Sequence, residues 1–77
     1  MGQGNIAQAR QFFMRAAQIG LAHAALMLAA TYDPHELARM RATSVQPNVA
    51  EARKWYLRAV ELGAPEAAQR LATLDGN

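Results

Sequence analysis

Cysteine is absent from the 77-residue chain, so neither a disulfide nor a thiolate metal site can reinforce the fold. Glycine and proline are scarce, at five and three residues, while alanine is abundant. That balance disfavours sheet and favours helix. No apolar run approaches the roughly 20 residues that span a bilayer. Met1-Gly2-Gln3-Gly4 lacks the basic-then-apolar start of a secretory signal, which leans the expected compartment toward the cytoplasm. A dominant charge is missing too: the formal net charge is +2, although the pI of 9.7 sounds more basic. The basic residues are dispersed, with no run beyond Arg53-Lys54. A nucleic-acid footprint is a clustered patch, so none is expected here.

The length allows one domain, residues 1–77. Below roughly 80 residues a single core supplies at most about 3–5 kcal/mol. Stability must come from helix packing, or from contacts beyond the chain.

What is present is a repeat. Shifting the chain by 43 positions lays Asn5-Ile-Ala-Gln-Ala-Arg10 over Asn48-Val-Ala-Glu-Ala-Arg53. Phe12-Phe13 then falls over Trp55-Tyr56, Arg15-Ala16 over Arg58-Ala59, and Ile19-Gly20 over Leu62-Gly63. Further on, Ala24-Ala25 matches Ala67-Ala68 and Leu28-Ala29 matches Leu71-Ala72. Such self-similarity marks a repeat architecture. The first copy covers about residues 5–32, the second about 48–75, and residues 33–47 connect them.

Each copy reads as two helices. Asn5 and Asn48 are candidate N-caps, with Gln8 and Glu51 three residues on to complete capping boxes. Ala9, Phe12, Phe13, Ala16, Ala17 and Ile19 recur at helical spacing and predict a core face, as do their equivalents Ala52, Trp55, Tyr56, Ala59, Val60 and Leu62. Gly20 and Gly63 then stop the first helices. Alanine-rich second helices are expected near Ala22–Thr31 and Pro65–Leu74. In the connection, Asp33-Pro34-His35-Glu36 combines a cap, a first-turn proline and a third-position carboxylate, predicting a short helix over Pro34–Arg41. Thr43–Pro47 reads as a loop. The class is all-α: two helix-turn-helix repeats joined by a short extra helix.

The segment Ala52-Arg-Lys-Trp-Tyr-Leu-Arg-Ala-Val-Glu-Leu-Gly63, followed by Ala67 and Leu71, resembles the Sel-one-like repeat family, helical solenoids related to the tetratricopeptide repeat. Ala9 to Gly20 is a looser match, and the likeness extends from Asn5 to Leu74. It departs where Tyr32 runs into Asp33-Pro34 and an inserted helical stretch, in place of the family's short Tyr-then-Gly loop. A similar Tyr-Asp-Pro stretch occurs in some bacterial members near the C-terminal repeat. The resemblance therefore implies a C-terminal repeat pair of a bacterial member, stacked as a right-handed α-solenoid. It also implies an adaptor or scaffold role. The penicillin binding linked to some cysteine-rich members is not carried over, because the cysteines are missing.

The chain offers little chemistry. Ser44 is the sole serine, sits in the loop without a glycine-framed elbow, and reads as a turn hydroxyl. His23 aligns with Glu66, a solvent-facing position. His35 lies beside Asp33 and Glu36 but lacks a third convergent ligand for a metal. The aromatic pairs are expected in the core, with Tyr32 capping the junction between copies. No catalytic, cofactor or metal site is expected, and no small-molecule substrate.

One pattern remains outside the core. Arg10 with Met14, and Arg53 with Leu57, each share a helix face at i, i+4 spacing. Side by side, the two pairs would form a groove with an apolar floor and a cationic rim, while Arg70 on the last helix would lie away from it. The expected function is a protein–protein interaction module without catalysis, binding an acidic and apolar partner segment along this groove. The other reading is a C-terminal cap or self-association element of a larger scaffold, with Ile6, Leu26 and Leu74 on the open faces.

Overall fold

The computed structural model describes residues 2–42 and 45–76. Among them every regular element is helical: α1 (Gly2–Gln18), α2 (Ala22–Ala30), α3 (Pro34–Arg39), α4 (Val49–Leu62) and α5 (Ala67–Gly76). The protein is all-α. Thr43 and Ser44 lie outside the described residues.

The first copy supplies α1 and α2, the second α4 and α5. α2 packs against α1 on one side and α4 on the other, and α4 packs against α5. This central role follows from composition. α2 reads AHAALMLAA, apolar around most of its circumference, with Ala24, Ala25, Leu26, Leu28, Ala29 and Ala30 all buried. A helix apolar on all sides must be covered on all sides, and its alanines let both neighbours approach closely. The molecule measures 33 × 30 × 17 Å, so its thin dimension holds two helices of about 10 Å diameter.

Helix ends are governed by local chemistry. Asn48 caps α4 by accepting the Glu51 backbone N–H on its side chain at 3.1 Å. The Glu51 carboxylate turns forward instead of back, and accepts Trp55 Nε1–H at 3.3 Å. Asp33 caps α3, accepting the His35 N–H at 2.8 Å. Three exits share one design. After α1, Leu21 N–H reaches Ala16 O; after α3, Ala42 N–H reaches Leu37 O; after α4, Ala64 N–H reaches Ala59 O. These are Schellman closures, whose penultimate residue is left-handed. Gly20 and Gly63 hold it at φ 96° and 97°, and Arg41 at φ 57°.

Several expectations are corrected. α1 begins at Gly2, so the helix does not start at Asn5 as expected. α3 ends at Arg39 because Arg41 leaves the helical region. α5 runs over Ala67–Gly76, with Pro65 in the preceding turn. Phe12, Ile19 and Val60, expected in the core, are exposed. Leu26 and Leu74, expected on open faces, are buried, and Ile6 is half-buried. Helical periodicity identifies faces of a helix, and which face meets a neighbour depends on what that neighbour is.

Candidate functional site

The end of α1 and the outer turns of α4 enclose a cleft of about 300 Å³. Ala17 and Gln18 form one wall; Lys54, Trp55, Leu57, Arg58 and Glu61 form the other. Positions 54, 57, 58 and 61 share one helix face by their i, i+3 and i+4 spacing. Leu57 is exposed and Trp55 nearly buried, so the cleft has apolar surface between two cationic side chains. Lys54 Nζ lies 5.2 Å from the centre of the Trp55 ring, and Arg58 pairs with Glu61 at 3.1 Å on the surface.

The four residues singled out from the sequence are not gathered into one groove. Leu57 lines the α1–α4 cleft. Met14 is half-buried against the core. Arg53 is paired across to α5, its Nη2 2.7 Å from Asp75 Oδ1. Arg10 is drawn into the junction between the copies. Its Nη2 donates to the Thr31 carbonyl and, at 3.0 Å, to the Gln46 carbonyl, while Nε reaches Thr31 Oγ1 at 3.3 Å. The guanidinium carbon sits 4.0 Å from the centre of the Tyr32 ring. Asn48 N–H completes this junction by donating to Tyr32 O at 2.9 Å. Tyr32 thus lies at the junction where the sequence placed it.

A second, polar cleft of about 270 Å³ separates α3 from α5. Asp33, Glu36 and Arg39 face Glu66, Gln69 and Arg70 across it. Beneath it, Tyr56 OH donates to Asp33 Oδ2 at 2.6 Å. Burial, and then this hydrogen bond to a carboxylate, hold the Tyr56 phenol well above its ordinary pKa. Arg70, expected on a remote face, is largely covered here: Nη2 pairs with Glu66 at 3.3 Å, and Nη1 is buried with no hydrogen-bond partner among the described residues. Among the described residues, no three His, Asp or Glu side chains converge as a metal site would need. Likewise, no described helix is long and apolar enough to cross a membrane.

No protein-family model, curated protein or solved structure matches the chain. The functional reading therefore stands on these surfaces. Sequence reasoning missed Lys54 and Arg58, although their i, i+4 spacing was visible. The missing information was that the end of α1 would supply the facing wall.

Proposed function

We propose that the protein is a protein–protein interaction module, built of Sel-one-like helix-pair repeats stacked as a right-handed solenoid, and without catalytic activity of its own. The α1–α4 cleft carries the reading. It takes an extended or helical partner segment, with Leu57 meeting an apolar side chain and Lys54 and Arg58 meeting acidic ones. Arg53, Met14 and Arg10 do not line the cleft: Arg53 pairs with Asp75, Met14 packs against the core and Arg10 bonds Thr31 and Gln46. The observation behind the proposal is the exposed Leu57 beside Trp55, between two cations, in a cleft formed by both copies.

Rim charges act mainly on association rate and salt dependence, whereas desolvated apolar anchors act on dissociation. A peptide-display selection against the folded protein tests the proposal. Enriched peptides should combine acidic and apolar residues. Their binding should fall for Leu57→Ser at every salt concentration, and for Lys54→Glu with Arg58→Glu chiefly at low salt. Arg39→Glu, on α3, should bind normally. Peptides without acidic character, or binding indifferent to Leu57, would rule the cleft out.

A further inference from the structure

The three most exposed large apolar side chains among the described residues all belong to α1 and the turn after it. Phe12 is 69% exposed, Ile19 78% and Leu21 53%. Phe12, Arg15 and Ile19 follow one another at i, i+3 and i+7, so they form one stripe along α1, about 10 Å long at 1.5 Å per residue. The opposite face of the helix carries Phe13 and Ala17 into the core. The Phe12 ring is braced edge-to-face on Phe13, with 5.6 Å between centroids and 69° between planes. Isolated exposed apolar residues are ordinary, whereas a contiguous group marks a contact surface.

Charge says what the contact is with. The formal net charge of +2 belongs entirely to the first copy. Residues 1–32 contain Arg10 and Arg15 and no carboxylate, whereas from Asp33 onward six cations are matched by six carboxylates. Arg10 is bonded to carbonyl and hydroxyl oxygens, which leave its charge uncompensated. Arg39, Arg53, Arg58 and Arg70 each pair with a carboxylate. Arg15, exposed between Phe12 and Ile19, has no such partner among the described residues.

We infer that the Phe12–Ile19 stripe docks an acidic amphipathic helix of a partner protein, its apolar side chains against Phe12 and Ile19 and a carboxylate on Arg15. A helix suits the stripe because its backbone groups bond one another. An extended segment laid there would have its own N–H and C=O groups covered without partners, since α1 offers only side chains. An anionic lipid surface is a poorer match, because such surfaces are recognised by clusters of about four to eight cations, and the stripe has one. The inference goes beyond the α1–α4 cleft, which neither Phe12 nor Ile19 lines.

Two synthetic peptides of about 20 residues, long enough to form a helix, test it. Both carry leucines at i, i+3, i+4 and i+7; glutamates flank them in one and lysines in the other. Fluorescence anisotropy is read on the full chain carrying Leu57→Ser, so that the cleft contributes no binding. The Glu peptide should bind in the micromolar range, and the Lys peptide at least about tenfold more weakly. Arg15→Glu should reverse that preference. Phe12→Ser with Ile19→Ser should abolish binding of the Glu peptide while leaving helicity by circular dichroism unchanged. No binding of the Glu peptide up to about 1 mM overturns the inference, as does equal binding of the two peptides. Indifference to the Phe12 and Ile19 changes overturns it too. Two further results would assign the stripe to another occupant and so overturn it. One is binding of the wild type to phosphatidylserine vesicles that is lost in the double variant; the other is self-association by sedimentation that is lost in the same variant. Peptide binding by the wild type that depends on Leu57 leaves the cleft reading standing in every case.

Discussion

Asp33 serves two helices at once. One carboxylate oxygen caps α3 through the His35 N–H, and the other accepts the Tyr56 hydroxyl from α4, 23 residues away in sequence. Removing the hydroxyl by Tyr56→Phe leaves a buried carboxylate oxygen short of a donor, and hydrogen bonds to charged groups are worth about 1.5–3 kcal/mol. Urea denaturation should show a loss of that size. The same pair sets an alkaline limit. The folded state holds the phenol proton more tightly than the unfolded chain does. That stabilisation is complete below the ordinary phenol pKa of about 10 and is lost as pH rises beyond it. Wild-type stability should therefore decline more steeply than that of Tyr56→Phe between about pH 9 and 11. Parallel slopes would show that the phenol is not held. Arg10 is a similar case, bonding two carbonyls and stacking on Tyr32. Lysine cannot reproduce a planar fork that also stacks, so Arg10→Lys should lower the melting temperature nearly as far as Arg10→Ala. Full rescue by lysine would reduce Arg10 to a point charge.

At the scale of the element, three Schellman exits differ in the residue that takes the left-handed position. Glycine holds it after α1 and α4 at no steric cost, whereas Arg41 holds it after α3. A side chain in that region costs about 1–2 kcal/mol, partly offset by the backbone freedom that glycine adds to the unfolded chain. Arg41→Gly should therefore stabilise the protein by about 0.5–1 kcal/mol in chemical denaturation. A destabilised variant would mean that the Arg41 side chain contributes more than the turn costs. The cap signals of α3 and α4 were readable because a cap is an interaction over two or three residues. The Asn5 cap was misplaced because Gly2-Gln3-Gly4 extends α1 by another turn, and nothing local forbids it.

Across the whole molecule, a two-layer slab only 17 Å thick has few residues shielded on every side. Trp55 is buried except where it borders the α1–α4 cleft, and burying so large a side chain in so small a core concentrates the stability. Trp55→Ala should cost about 3–5 kcal/mol, comparable to the roughly 3–5 kcal/mol available to a chain of this size. The variant should be largely unfolded by circular dichroism at room temperature. Phe12→Ala, at the equivalent position, should cost within roughly 0.5 kcal/mol, as exposed sites do. Equal losses at the two positions would contradict the difference in burial between Trp55 and Phe12.

The helical class, the internal repeat, the glycine stops of α1 and α4 and the caps of α3 and α4 were legible in the sequence, each from interactions over a few residues or from the composition of a single helix. The burial of α2 was not, since Leu26 was expected on an open face. Only the tertiary structure decided that Arg10 would brace the junction instead of lining a groove. Its partners Thr31 and Gln46 lie 21 and 36 residues away. Only the tertiary structure, too, decided that Trp55 would be covered and Phe12 left open. The two occupy the same place in their repeats, and helical periodicity treats them alike. Burial belongs to a residue and its neighbour together, and α4 has the first copy beside it, whereas the Phe12 side of α1 is left open among the described residues.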